Sequence, residues 1–389
     1  MTVLHHQRFV IPDDNPLPQE YDIVWSDRAG FAYADTPADQ RVYDCYYAQF
    51  SKYEAGDVTT GGGDTPGDAA RLAQTADDVA RTVEDRKASI IDVGCANGGL
   101  LVALRRLGFA AVAGIDPSPA CVQTVQAKHG ISAEVGGLMN LPAQTRKANV
   151  VLLCHVLEHV RDLGRGVEAL ASLLAEDGIA YVEVPDAGRY REFVFAPFQD
   201  FNTEHINHFG AASLVNLMRR GGFEPISCAT KTIETAPGLP YPALFGFFRK
   251  RGVAASAADF LTDSDLLASL EEYVGRSSEI LARIESVIGP LVRSRMPLVV
   301  WGTGQLTMKL LAETSLFDAN LVALVDGNPI NHGKTLCGRA ICPPERIPII
   351  APDACILIGT LLHHEAIVRR IRGDLGLKNQ IVTLSAPWP

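Results

Sequence analysis

What the chain lacks sets its first limits. It has no window of about eighteen consecutive apolar residues, the length a helix needs to cross a bilayer, and its opening MTVLHHQRFV has no apolar core of the signal-peptide kind. A soluble, cytoplasmic protein that keeps clear of membranes is the expectation. Runs of Lys or Arg are missing too, and the formal net charge is -10 over 389 residues, which argues against a nucleic-acid partner. The eight cysteines are scattered, so no disulfide framework is implied. Cys95, Cys121 and Cys154 stand in apolar stretches where buried thiols are common. The length allows two or three domains.

What is present is organised around residues 89–101, SIIDVGCANGGLL. This reads as a strand, a turn at Gly94, Gly98 and Gly99, and the start of a helix. Glycine lets the backbone turn sharply and leaves room for a ligand against it. A second short strand at 111–116, AVAGID, ends in Asp116, which is placed to accept both hydroxyls of a ribose. The turn runs DxGxxxG from Asp92 to Gly98 and lacks the GxGxxG of dinucleotide folds. Asp92 offers a carboxylate that suits a cationic amino group. This pattern resembles the first motif of the class I S-adenosylmethionine-dependent methyltransferases. The resemblance implies an α/β fold with a doubly wound sheet and S-adenosylmethionine as methyl donor. It puts Asp92 and the glycines on the methionine part and Asp116 on the ribose, with Cys95 and Pro117 beside them.

Residues 1–60 are rich in Pro, Asp and aromatics. Tyr43, Tyr46 and Tyr47 have helical spacing, which fits a core stripe as well as a site wall, and Tyr53 in FSKYE is a candidate to cap a cofactor or substrate pocket. Gly and Thr crowd the following segment, which reads as a loop. A helix is predicted from Asp68, another over 119–129, and a short strand over 131–135. The turn at 137–142 is where methyltransferases of this class usually stack the adenine, with Met139 and Leu141 as apolar faces and Asn140 as a polar contact. The run ANVVLL at 148–153 does not alternate, so it predicts a strand buried on both faces. It leads into CHVLEHV, similar to the LEHV stretch after the fourth strand of many small-molecule methyltransferases. Ligands of open parallel sheets sit beyond the carboxyl ends of the strands, which makes His155 a cofactor candidate and His159 a catalytic one. His155 and His159 with Glu158 have a spacing that permits metal ligation, but no third ligand is evident nearby and no metal is expected. A helix over 166–174 and a strand over 179–184 complete the unit.

The segment QDFNTEHINHFG at 199–210 holds Glu204, His205 and His208. Histidine takes a proton near neutrality, and a neighbouring carboxylate orients its ring. Read alone, these residues fit a surface or a helix cap equally well. Glu204-His205, followed by Phe209 and by Ser213-Leu214 opening a helix, resembles the EH(x)nFS segment of C-methyltransferases acting on nucleotide-linked deoxyketosugars. Residues 9–35 resemble that family's small zinc-binding domain, and TAPGLPYPALFGFFRK at 235–250 and the C-terminal part match as well. The resemblance implies His205 as general base. A carbon next to a ketone loses its proton to His205, and the carbanion attacks the sulfonium methyl in line. Glu204, His208 and His159 join it as catalytic candidates.

Two departures follow. The family's zinc cysteines form CxxC pairs, whereas here the first pair is missing and Ser26 and Ala29 stand at the second, so no zinc is expected. Asn202 stands where the family often has a tyrosine. That change keeps open O- or N-methylation of another small metabolite; a cofactor-binding protein without turnover is the alternative from another class.

Residues 263–288 fit one long amphipathic helix, ended by Gly289-Pro290. PLVVWGTG at 297–304 and LVALVD at 321–326 then repeat a Rossmann-like pattern, with Thr307 in the third glycine's place. A degenerate domain walling the substrate cleft is expected, with Asp326, Asn328 and Lys334 towards a nucleotide. Strands are predicted at 347–350 and 354–358 and a helix from His364. The expected organisation is a small N-terminal domain (1–60), a methyltransferase domain (61–232), a linker with the long helix (233–292) and a C-terminal Rossmann-like domain (293–389). The expected partner is a small molecule, a nucleotide-linked sugar, with the chain a monomer or homodimer.

Overall fold

The computed structural model describes residues 1–50, 62–236, 238–254, 256 and 260–384. The chain divides into two units: Met1–Leu4, Ile23–Phe193 and Glu204–Leu270 form the first, and His5–Asp22, Val194–Thr203 and Glu271–Pro389 the second. Residues 1–50 are therefore shared between units and form no domain of their own. They hold β1 (Thr2–Arg8), β2 (Glu20–Ser26), β3 (Phe31–Asp35) and α1 (Gln40–Gln49). Asp39 caps α1, its carboxylate accepting the N–H groups of Arg41 and Val42.

The rest of the first unit runs α2 (Pro66–Thr82), β4 (Ile90–Val93), α3 (Gly99–Arg106), β5 (Val112–Asp116), α4 (Pro119–His129), β6 (Ser132–Val135), β7 (Ala148–Cys154), α5 (Leu163–Leu173), β8 (Leu174–Pro185), β9 (Asn207–His208), α6 (Ala211–Arg220), β10 (Phe223–Ala236) and β11 (Leu239–Lys250). Seven of these strands make one sheet in the order β10-β11-β8-β7-β4-β5-β6. The strands β4 to β8 are parallel, while β11 runs antiparallel to both β8 and β10. Apolar residues on both sheet faces explain why helices cover each. Val151 and Leu153 of β7 join one core with Val167 and Leu170 of α5 and Leu214 and Met218 of α6. Val150 and Leu152 join the other with Leu72 and Val79 of α2 and Leu104 of α3. The unbroken apolar run of β7 is thus a strand buried on both sides. Residues 233–250 form no linker. The boundary at 232 falls inside β10, because that strand pairs with β11 along its length and Leu244 and Phe248 of β11 belong to the core. The short β9 pairs antiparallel with β3.

Helix α7 (Leu266–Ser294) contributes its residues from Glu271 on to the second unit. It continues through Pro290, where a stop was predicted. Proline removes one backbone N–H, but Ile284 and Ile288 before it are fully buried and Leu291 and Val292 after it pack on the same core. There follow β12 (Leu298–Trp301), α8 (Gln305–Glu313), β13 (Leu321–Val325), β14 (Thr335–Leu336), β15 (Arg339–Cys342), α9 (Ile347–Ile350), β16 (Cys355–Ile358), α10 (His364–Arg369) and β17 (Ile381–Thr383), with sheet order β14-β15-β13-β12-β16-β17. Residues 347–350 are a helical turn and no strand. Pro348 has no N–H for a ladder, and Ile349 is exposed while Ile347 is buried. The Asp326 carboxylate is taken up by its own unit, accepting the Thr303 N–H (2.9 Å) and hydroxyl (2.6 Å) and the Asn328 N–H (2.8 Å). Thr307 ties the same turn down, donating to the Gly302 carbonyl at 2.7 Å. Among the described residues no helix is long and apolar enough to cross a membrane.

Candidate active site

The order of the first unit's sheet reverses between β4 and β7, and it is at such a reversal, beyond the carboxyl ends of the strands, that open parallel sheets bind their ligands. The turn after β4 needs its glycines. Gly94 and Gly98 both have φ of 81°, and a Cβ on either would come within 2.9 Å of a valine methyl, Val156 for the first and Val125 for the second. Asp92, at the end of β4, is buried, and its Oδ1 has no hydrogen-bond partner among the described residues. Burial and the charge of Asp116 push its carboxyl up to about 7. Asp116 accepts the N–H groups of Ala96 (2.8 Å) and Ser118 (2.9 Å), and burial still raises it to about 6.

An orphaned buried carboxylate oxygen asks for a cation, and the Asp116 oxygens keep lone pairs for hydroxyl donors. The residues present therefore fit a ligand carrying an ammonium group and a ribose. Cys95 differs from expectation: its thiol packs among Leu101, Val122 and Val125, so the side chain serves the core and only its backbone lines the turn. Pro117 is half-buried. The turn carrying Met139, Asn140 and Leu141 is closed by reciprocal bonds between Gly137 and Asn140 (3.2 and 3.0 Å), with Asn140 exposed and the other two half-buried. Tyr53 lies outside the described residues.

The second half of the site follows β7. His155 has φ of 56°, a left-handed conformation uncommon for any residue but glycine, and residues Leu157–His159 form a 3-10 turn. Onto this turn the segment carrying Glu204 and His205 is tied. The Ile206 N–H donates to the Glu158 carbonyl (2.7 Å), and the Asn207 side-chain amide donates to the carbonyls of Leu157 (2.9 Å) and Val160 (2.7 Å). The His205 and His159 rings then stand 5.1 Å apart at 60°. The Glu204 carboxylate accepts the hydroxyls of Tyr46 (3.0 Å) and Tyr47 (3.1 Å). Burial and the Glu204 charge push both phenols up, so they remain donors. His159 Nδ1 lies 2.9 Å from both the Tyr47 hydroxyl and the Glu204 carbonyl, which leaves Nε2 towards Glu158 Oε1 at 3.8 Å.

His208 departs from the catalytic set. It is fully buried on β9, its ring meeting Tyr190 edge-on at 6.0 Å, and burial lowers its pKa to about 3. A ring so weakly basic and closed off from solvent packs the core and takes no proton. The potential metal ligands are regrouped too. Atoms of Glu158, His159 and His205 lie within 4.8 Å of one another, so the third ligand that 155–159 lack locally comes from the later segment. His155 points elsewhere: its Nδ1 is 3.1 Å from Glu158 and its Nε2 is 3.3 Å from Glu183. Sequence reasoning gave Glu183 no role in the site and left Tyr46 and Tyr47 between core and site. Only their helical spacing hinted at a shared face.

Residues 68–228 match the model of a methyltransferase-domain family. The C-methyltransferase NovU of Streptomyces niveus is 23% identical over 275 residues, covering 68% of this chain and 62% of its own length. A ubiquinone biosynthesis O-methyltransferase of Methylobacterium nodulans is 35% identical over 101 residues, covering 24% of this chain and 39% of its own. The chain thus spans less than two thirds of either relative. Among solved structures, the 1,6-didemethyltoxoflavin-N1-methyltransferase of Burkholderia thailandensis, with bound 1,6-didemethyltoxoflavin and S-adenosylhomocysteine, is similar at 16% identity and a TM-score of 0.40, over 57% of this chain and 95% of that one. Sheet order, glycine turn and family match together define the class of this part: residues 68–228 form a methyltransferase domain of the class I, S-adenosylmethionine-dependent kind. S-adenosylmethionine is the cofactor of that domain.

Proposed function

We propose that the chain is a C-methyltransferase acting on a nucleotide-linked keto-deoxysugar. The observation that supports this is the docking of Glu204-His205 onto the turn of Glu158 and His159, which sets a histidine base beside the carboxyl end of β7. S-adenosylmethionine, when bound, supplies a methyl group on a sulfonium sulfur. Asp92 holds its amino group, Asp116 its ribose, and the turn of Met139, Asn140 and Leu141 its adenine. His205 takes the proton from the carbon next to the ketone. Glu204, fixed by two tyrosine hydroxyls, holds the segment that aims His205, and His159 flanks the ring. The name of the Streptomyces niveus relative agrees with methylation at carbon. Methylation at oxygen is the second reading, favoured by the name of the shorter match.

The test is incubation with S-adenosylmethionine and a set of nucleotide-linked 4-keto-6-deoxysugars. The expected product gains one methyl, and in deuterated buffer with S-adenosylhomocysteine the sugar exchanges the hydrogen next to its ketone. Methylated product without that exchange supports oxygen as the acceptor, and no turnover with any such sugar removes the sugar reading. A companion measurement concerns Tyr47. A hydrogen bond to a charged group contributes about 1.5–3 kcal/mol, so Tyr47→Phe lowers kcat about 10- to 100-fold by steady-state kinetics, with S-adenosylhomocysteine affinity unchanged.

A further inference from the structure

Glu158, His159 and His205 each offer one donor atom, a carboxylate oxygen or a ring nitrogen, and these atoms lie within 4.8 Å of one another. All three residues belong to the first unit. Two imidazoles and a carboxylate are the donor set that divalent cations of the zinc class take in sites that keep a position open. Magnesium and calcium prefer oxygen ligands.

The surroundings prepare each ligand. The Glu204 carbonyl can only accept, so the His159 Nδ1 at 2.9 Å carries the ring proton. Its Nε2 is then the nitrogen with the lone pair, turned towards Glu158 Oε1 at 3.8 Å. A ring N–H held by a backbone carbonyl is the usual outer support of a metal-ligating histidine. The Glu158 side chain is 1% exposed, and its Oε2 is buried without a hydrogen-bond partner among the described residues. Burying such an oxygen is costly, and a cation beside it offsets that cost. His205 is brought to the same place by the bonds of Ile206 and Asn207 to the 3-10 turn. Two ligands of one zinc ion stand at most about 4.2 Å apart, so closing on the ion takes side-chain shifts of about 1 Å.

We propose that Glu158, His159 and His205 bind a divalent cation of the zinc class, and that the bound ion switches methyl transfer off. The binding stands on the three side chains alone, whereas the inhibition rests on the reading of His205 as base given above. A ring nitrogen that ligates an ion has committed its lone pair, and the other nitrogen of a neutral imidazole already carries a proton. With the ion in place, His205 has no lone pair left for the hydrogen next to the ketone. Removing the ion restores it. The residues that carry the reaction thus also form a reversible brake.

The test has two arms on the full-length protein stripped of metal. In the first, without any substrate, zinc is titrated by calorimetry and cobalt(II) by its visible absorption. One ion is expected to bind per chain, cobalt giving the strong bands of a low-coordinate site, and magnesium is expected to give no heat. Glu158→Gln and His159→Gln are each expected to weaken zinc binding about tenfold or more, since losing even an outer partner of a ligand costs that much. His6→Gln, at an exposed histidine, leaves it unchanged. Thermal melts of both ligand variants keep a failure to fold apart from a lost ligand. Absence of stoichiometric binding, or binding that either folded ligand variant leaves in place, overturns the proposal. In the second arm zinc is added during methyl transfer. Turnover falls about tenfold or more as the site fills, with a midpoint near the calorimetric Kd, and a chelator restores it. Full turnover with the site filled, or turnover that needs the ion, overturns the proposal. If no sugar is methylated, the first arm still decides the metal site, so a wrong substrate is told apart from a wrong site.

Discussion

His205→Gln lowers kcat by about two to four powers of ten, the range that a general base supplies, while S-adenosylhomocysteine binds as tightly as to the unchanged protein. The expectation rests on the ring's position. His205 touches the site through His159, at 5.1 Å between centroids, and lies on the segment tied to the turn after β7. Glutamine keeps the volume and a polar end group but cannot accept the proton at neutral pH. The hydrogen next to the ketone therefore stops exchanging with deuterated solvent in the variant, in step with the loss of methyl transfer. Should exchange persist at the original rate, another group is the base. His159 is then next in line, because its Nε2 faces Glu158 and the same space. His208 is excluded from that succession by its burial.

Asp92→Asn produces two effects of opposite sign. Burial and Asp116 raise the Asp92 carboxyl from 3.8 to about 7 in the folded protein. Between those two values the folded chain keeps a proton that the unfolded chain has released. Its contribution to stability therefore falls as pH rises through that window, by up to about 1.4 kcal/mol per pH unit. Asparagine has no such term, so relative to the unchanged protein the free variant's melting temperature rises progressively from pH 5 to about pH 7 and then levels off. Cofactor binding moves the other way. The ionised carboxylate is the partner for an ammonium group, and a charge-assisted bond in a buried site is among the strong ones. Affinity for S-adenosylhomocysteine falls about tenfold or more in the variant at pH 8, and in the unchanged protein it weakens as pH drops below about 7. Calorimetric titration and thermal melts at matched pH read both effects. A melting difference that does not vary with pH, or equal affinity in the two proteins, contradicts the assignment.

The parts of this molecule that were legible in the sequence are those whose chemistry is local. The glycine turn after β4 declares itself because φ of 81° at Gly94 and Gly98 demands glycine and the strand before it is short and apolar. The buried strand β7 shows in its unbroken apolar run, and Asp116 in its place at a strand end. Legibility fails where a residue's meaning depends on a distant partner. Tyr46 is joined to Glu204 across 158 residues of chain, and nothing in a helical stripe of tyrosines reveals the carboxylate it holds. Glu183 and Lys231 meet only because β11 pairs with β8 and carries β10 beside α2. His205 and His208 stand three residues apart with the same chemistry in prospect, and only the pairing of β9 with β3 separates a ring at the site from a ring in the core. The prolines at 290 and 348 misled in opposite directions. Burial on both sides overrides the first, while the second breaks a strand-like apolar run into a turn.

Strand β10 ends its sheet, with one side of its backbone turned away from β11. An outermost strand of this length presents a row of backbone donors and acceptors that another chain can extend into a continuous intermolecular sheet. This one is unsuited to that. Pro225 lacks a donor, the register slips between Pro225 and Ser227 and again between Glu234 and Ala236, and Lys231 turns its charge inward midway between those interruptions. The lysine that pairs with Glu183 thus serves a second end, as a guard against aggregation through the open edge.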